Sequence, residues 1–493
     1  MGLKMIPMTK RKIVILSQFC AVVLWMLYLA TRLNNPFTTD TFISLTKTRP
    51  SAPTQTHASG VHGGSSGSGS LRAHQKPQVT LGADSNSKGD DDTATANKQD
   101  GNRDDDATNK TTTPGSRLAK AISLLPSILD PSDASVDRMT CPPVNATRYG
   151  HLRGPPSAPE LENEQRFLFA LNLRQCVDLL PRLMGSLLEA MRFLGPRHCA
   201  LSIVEGNSDD GTLEVLRLLE EELKAMGVGY WLTTSSLDPS KGERIQRLAL
   251  LRQLAVEPLV KGGLLSSRLS PDATVLFIND VAACAEDLLE LAHQRRLQSA
   301  DMVCAMDWSH PGAGLDDDNL PFFYDVWVAR AINGDLFFDI PAGTGGWEKG
   351  QDLFFNEPVA RQRMAAGVPF QVFACWNGAT AFAAEPLASG DVSFRWPAKD
   401  ECFQGEPQLF CKDLWWKGYG KIAVVPSVNL EYTDTKGRQT KRQKGYVSEF
   451  VSGERPRKKI SVWKGPPDMV KCMPGFSDQT WLPWNETLVE MTL

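Results

Sequence analysis

The chain has 493 residues, 42% of them hydrophobic, and a formal net charge of -4. That suffices for one large or two medium domains, and the charge balance excludes the broad basic field that a nucleic-acid partner requires. The averages conceal stretches of very different character.

Ile13 to Ala30 reads IVILSQFCAVVLWMLYLA, eighteen residues without a charge. As a helix rising ~1.5 Å per residue it covers ~27 Å, enough for a bilayer core. Lys4, Lys10, Arg11 and Lys12 precede it, so residues 1–12 are expected in the cytoplasm and all that follows residue 30 across the membrane. A cleaved signal peptide competes, but its apolar core is shorter and ends in a small-x-small site, which Ala30-Thr31-Arg32 matches poorly. Residues 31–140 read as a lumenal stem: HGGSSGSGS at 62–70 is followed by eight Asp against three basic residues between Asp84 and Asp106. Gly/Ser runs and blocks of like charge do not bury enough apolar surface to fold. Nine cysteines lie beyond the apolar segment, with no CxxC pair or Cys/His cluster. A structural zinc site is thereby disfavoured and some disulfide pairing is expected in an oxidising lumen. Asn109, Asn145 and Asn485 each open an N-x-S/T sequon.

From residue 141 to 435 the pattern is that of a folded α/β domain. Strands are predicted over 167–173, 199–206, 229–236, 273–280 and 301–308, and helices over 177–194, 213–226, 243–256 and 286–298. Alternating strands and helices with near-continuous apolar strands imply an α/β fold with a mostly parallel sheet covered on both faces. Ligands of such sheets bind beyond the carboxyl ends of the strands.

Polar residues stand at those ends. Glu205, Asn207 and Asp209 follow the second strand, where a carboxylate suits the base or ribose of a nucleotide and a well-capped loop is the plainer alternative. GxGxxG and GxxxxGK[ST] are absent. Arg244 and Arg252 open the third helix region and suit a diphosphate, or else a salt-bridged surface. The fourth strand ends Asn279-Asp280, oxygen ligands suited to Mn²⁺ or Mg²⁺ on a diphosphate. The fifth ends at Asp307, a further carboxylate placed to bind the same nucleotide. Trp376 and Asn377 interrupt an apolar run and combine a stacking face with a hydroxyl partner, as an acceptor sugar needs. Glu401, Glu406 and Asp413 place three carboxylates within thirteen residues. Any one suits an acid/base or cation-stabilising role, and spacing does not choose among them. Residues 436–493 form a basic extension, with nine basic against two acidic residues from Lys436 to Lys459. It reads as a flexible solvated segment or as a phosphate-attracting one.

The strings FINDVAACAEDLLEL, ADMVCAMDW, FYDVWVAR, PFQVFACWNG, ECFQGEPQLFCKDLW and GYGKIAVVPSVNLEY resemble the fungal family of cryptococcal capsule-associated α-1,3-mannosyltransferases. The resemblance runs from about Phe167 to Tyr432. It implies a GT-A-like nucleotide-sugar fold, and transfer of mannose from GDP-mannose to a mannose-containing glycan with retention of configuration. It also implies a type II Golgi membrane protein. It maps Asn279-Asp280 onto the usual Asp-x-Asp metal position, with Asn279 or Glu286 completing the site around Asp280. The alternatives are a lumenal glycan-binding or export factor on the same fold, or an enzyme using another sugar nucleotide.

Overall fold

The computed structural model describes residues 113–153, 164–260, 262–310, 320–341, 349–451 and 459–488, all within one compact unit. The apolar segment 13–30 and the stem up to residue 112 lie outside them. Among the described residues no helix is long and apolar enough to cross a membrane.

Helix α1 (Pro114–Leu129) begins inside the stretch read as stem. Thr113 caps it, accepting from the Ser116 N–H, and Ala121, Leu124 and Ile128 are buried along one stripe. The low average hydrophobicity of residues 31–140 hid this sixteen-residue amphipathic run. The main fold then alternates as β1 (Gln165–Leu173), α2 (Leu180–Leu194), β2 (Cys199–Glu205), α3 (Thr212–Met226), β3 (Gly229–Thr234), α4 (Arg244–Val256), β4 (Leu269–Ile278), α5 (Ala285–Gln298) and β5 (Met302–Ser309). After two short strands, β6 (Phe322–Phe323) and β7 (Arg330–Ala331), come α6 (Pro358–Ala365), β8 (Phe370–Ala374), β9 (Ala379–Ala383), α7 (Glu406–Trp416), β10 (Ile422–Leu430) and α8 (Asp434–Lys444). A hairpin, β11 (Met469–Gly475) and β12 (Asp478–Pro483), follows.

The sheet runs β3-β2-β1-β4-β9-β5-β10-β8-β7. Strand residues alternate between two apolar layers, Phe167, Phe169, Leu171 and Leu173 entering one and Leu168 and Ala170 the other. Helices α2, α3 and α5 cover the first layer and α4 and α7 the second. β1, β2, β3 and β4 are parallel, as is β10 with β5. β9, however, enters antiparallel between β4 and β5, and β8 runs antiparallel to β10. The sheet is therefore mixed, a correction to the mostly parallel expectation. A strand buried on both faces reads as the same apolar run whichever way it points.

Three disulfides, Cys141–Cys284, Cys304–Cys375 and Cys402–Cys472, hold the unit together, and Cys176, Cys199 and Cys411 are buried thiols. The segment read as a basic extension is partly built into the fold. In α8, Lys441 is buried and bonds both oxygens of Asp287 at 2.6 and 2.8 Å.

Candidate active site

From β1 the chain builds β2 and β3 on one side, then returns to lay β4 on the other. That reversal leaves a crevice beyond the carboxyl ends of β1 and β4, where open α/β sheets take their ligands. Leu173, Glu205 and Thr234 end their strands in one row, and Asn279-Asp280 follow β4. Burial raises the Cys176 thiol, and the charges of Asp280, Asp210 and Glu205 raise it further, so carboxylates flank this crevice from β2 and β4.

The turn before β9 closes the next part of the wall. Gly378 accepts from the Asn279 N–H at 2.8 Å. At φ 79° it has the left-handed backbone that glycine adopts freely, and an added Cβ would sit 3.2 Å from that of Asp307. This close approach brings the ends of β4 and β5 together. Asp307 is fully buried; its Oδ2 accepts from the Tyr432 hydroxyl at 2.7 Å while Oδ1 has no hydrogen-bond partner. Asp325 joins it from the loop after β6, where its Oδ2 accepts from the Asn377 N–H at 2.9 Å. Burial raises the Asp307 carboxyl well above its ordinary range and Asp325 raises it further. Burial pushes Asp325 up to about 6, although the Asn377 N–H and the charge of Arg252 pull the other way. Tyr324, its ring 4.9 Å from that of Tyr432, records the cluster. Its phenol is pushed up to about 12 by burial and by Asp307, Asp325 and Asp280, against the charge of Arg244. Three carboxylates thus converge on one edge, opposite an exposed arginine at the start of α4.

The other predicted residues divide. Asn207 is exposed at a left-handed φ of 57°. Glu205 is buried beneath it, its carboxylate accepting from the N–H groups of Asn207 and Ser208. Asp209 is exposed and bonded through Oδ1 to the Gln175 amide. Arg252 has its guanidinium 4.4 Å from the Trp376 ring centre and bonds Glu406 at 2.7 Å. The Asn279 side-chain oxygen is spent on the Trp376 indole N–H at 3.1 Å. Glu286 faces Ser448, and burial first, then Asp287, pushes it up to about 7.

Trp376 and Asn377 do not present an acceptor surface. Trp376 is 1% exposed, packed among Arg252, Phe277 and Phe394. Asn377 is wholly buried and donates to the Ala305 carbonyl at 2.8 Å. A tryptophan inside an apolar run is core before it is platform. Glu401 and Asp413 lie in an ion cluster. Glu401 accepts from Arg395, from Lys412 at 2.6 Å and from the Ala398 N–H, while Arg395 also grips Asp413. Burial alone would raise Glu401, but its bonds to Arg395 and Lys412 overcome this and hold it down at about 2. For Asp413 burial wins and the carboxyl is raised.

Glu401 has no lone pair left over for a substrate, so its expected contribution is to stability. Glu401→Gln is expected to cost about 3 kcal/mol by taking from the buried Lys412 ammonium its closest carboxylate partner and leaving Arg395 with Asp413 alone. Because its folded pKa is depressed, that contribution is present above the ordinary glutamate value and is lost as pH falls toward 2. Urea denaturation at pH 7 and pH 3 checks both statements.

The chemistry of the donor set admits a divalent ion. Among the described residues no group of three or more His, Cys, Asp and Glu is arranged to hold a metal. An ion carried on a diphosphate needs only one or two carboxylates from the protein. Half-buried Asp280 and the unpaired Oδ1 of Asp307 fit that requirement. Asp325, Tyr324 and Tyr432 escaped the sequence reading. The signal was an acid between Tyr and Val in FYDVW, where an apolar run has no need of one.

A family model described as Cryptococcal mannosyltransferase 1 matches residues 166–413. An α-1,3-mannosyltransferase of Cryptococcus neoformans var. neoformans serotype D, CMT1, is 35% identical over 350 residues, covering 65% of this chain and 73% of the relative. Two solved structures, Staphylococcus aureus TarS and the mannosyltransferase PcManGT from Pyrobaculum calidifontis in complex with GDP-Man and Mn²⁺, are each 12% identical with a TM-score of 0.31. They cover 59% and 64% of this chain and 67% and 68% of their own, likenesses too remote to argue from.

Proposed function

The chain belongs to the cryptococcal mannosyltransferase 1 family and is a glycosyltransferase, and from that premise we propose that it transfers mannose from GDP-mannose to a mannose-containing glycan. The bond formed is α-1,3, with retention of the donor's configuration, on a GT-A-like fold. The observation that carries the reading is the convergence of Asp280, Asp307 and Asp325 on Tyr324, at the carboxyl edge of β4 and β5.

In this proposal Asn207 faces the nucleoside at the β1/β4 crevice, and Glu205 and Asp209 shape the loop that carries it. Arg244 meets the diphosphate across the cluster, where a guanidinium matches two phosphate oxygens at once. Asp280, with Asp307 behind it, would hold Mn²⁺ or Mg²⁺, which when bound neutralises charge on the departing diphosphate. Arg252 and Glu406, neutralising each other on the Trp376 face, orient the mannosyl hydroxyls. Asp325 is the carboxylate that steadies positive charge on the mannosyl carbon as its bond to GDP breaks. It is half-buried, and burial pushes its carboxyl up to about 6. Three disulfides and the uncharged segment 13–30 support a Golgi-lumenal domain on an N-terminal anchor.

The test is to incubate the full chain with GDP-mannose, GDP-fucose and UDP-glucose in turn, with Mn²⁺ and an α-mannobiose acceptor. Mannose transfer with an α-1,3 linkage by NMR is expected. Turnover of a different donor, or binding of the mannobiose with no turnover of any donor, would overturn it in favour of another transferase or a glycan-binding factor.

A further inference from the structure

With Trp376 buried, the expected aromatic face is spent on the core, yet four large aromatic side chains on the loops after β6 and before α7 stay exposed. Tyr324 is 41% exposed, Trp327 37%, Trp396 44% and Phe403 51%. Rings of this size normally enter the core, and a group of them left in water near a polar pocket marks a binding surface.

Two of the four stand on loops tied independently to one hairpin. Trp327 lies two residues beyond Asp325, and its ring is 5.0 Å from that of Phe476 in the β11–β12 turn. Three residues further on, the buried Arg330 donates to the Lys471 carbonyl at 2.7 Å. Phe403 follows Cys402, which is disulfide-bonded to Cys472, the next residue of the same strand. Beneath that loop Glu401 is fixed by Lys412 and Arg395, and the Cys402 N–H donates to Glu486. An added Cβ on Gly405 would lie 3.5 Å from Val328, so the two loops touch. On the inner side the same loops carry Asp325 and Glu406, the acids on either side of Arg252. The backbone beneath Trp327 and Phe403 is therefore held in place, and both rings are exposed on the loops that also carry Asp325 and Glu406.

We propose that Trp327 and Phe403 form the platform on which the acceptor glycan lies, with a pyranose of the acceptor stacking its apolar C–H face on the Trp327 indole and its rim against Phe403. The inference rests on the mannosyl-transfer reading above and supplies its acceptor subsite. A neutral hexopyranose suits the surface. It has one apolar face for a ring and a hydroxyl edge for solvent, and neither aromatic brings a charge of its own. A rigid platform costs little ordering entropy on binding, which a glycan with few strong contacts requires. Stacking also sets the angle at which the acceptor hydroxyl enters the pocket.

The experiment measures steady-state kinetics of the full chain in detergent with α-mannobiose as acceptor, comparing wild type with Trp327→Ala, Trp327→Phe, Phe403→Ala and Trp481→Ala. The KM for acceptor is expected to rise at least tenfold in Trp327→Ala and severalfold in Phe403→Ala, with most affinity recovered in Trp327→Phe. The KM for GDP-mannose is expected to stay within twofold. Trp481, exposed on β12, serves as the control for loss of any surface tryptophan. An acceptor KM unchanged in both alanine variants, or raised equally in Trp481→Ala, overturns the platform. If wild type turns over no GDP-mannose, the failure belongs to the donor reading, and the platform is then read by fluorescence titration with α-mannobiose. A saturable signal lost in Trp327→Ala upholds it, and equal binding by both proteins overturns it.

Discussion

Asp325→Asn is expected to reduce kcat by about three orders of magnitude while making the protein more stable at neutral pH. Both effects come from one cause. Burial pushes the carboxyl up to about 6 from an ordinary value of 3.8, against the pull of the Asn377 N–H and the Arg252 charge. A carboxyl raised on folding adds no penalty below its unfolded value, where both states are protonated. As pH climbs through about 6 the folded protein must ionise it in an unfavourable place, and stability is lost. A shift of this size, discounted because Asp325 is only half-buried, amounts to about 2 kcal/mol at pH 7. Asparagine keeps an oxygen for the Asn377 N–H and never ionises. Urea denaturation is expected to place the variant above wild type at pH 7 and level with it at pH 3. The wild-type rate is expected to rise with pH through about 6, and that limb to vanish in the variant. A variant of equal stability at both pH values would contradict the buried-pair account. One that keeps full activity would remove Asp325 from the chemistry.

Asp280→Asn is the second large effect, and it separates differently. Asp280 is half-buried at the end of β4, so its replacement is expected to shift Tm by no more than about 2 °C. Transfer is expected to fall about a thousandfold, because in the proposed site this carboxylate serves the metal ion that offsets charge on the leaving diphosphate. The contrast with Glu401→Gln, which costs stability through the Arg395 and Lys412 cluster, distinguishes a carboxylate that serves the reaction from one that serves the fold.

The strands and helices from Phe167 to Trp308 were legible because each pairs an apolar run with a polar strand end, and those ends also pointed to Asp280 and Asp307. Three things were not. Strand direction is invisible in a doubly buried run, so nothing in the sequence marks the antiparallel insertion of β9. Burial of a polar residue depends on partners far away in sequence. Glu401 and Asp413 looked as available as Glu406 until Arg395 and Lys412 were seen to occupy them. Trp376 and Trp327 are chemically alike, and only the fold puts one under Arg252 and leaves the other in water. Asp325 was present in an unusual string, but its meaning required Asp307, eighteen positions earlier on another strand.

The central claim is that the donor's diphosphate lies at the carboxyl edge of β4 and β5, held through Asp280. Calorimetric titration of GDP-mannose into the full chain, with and without Mn²⁺, tests it most directly. Mn²⁺ is expected to tighten binding at least tenfold in wild type and to have little effect in Asp280→Asn. Equal tightening in both proteins, or none in either, would contradict this placement.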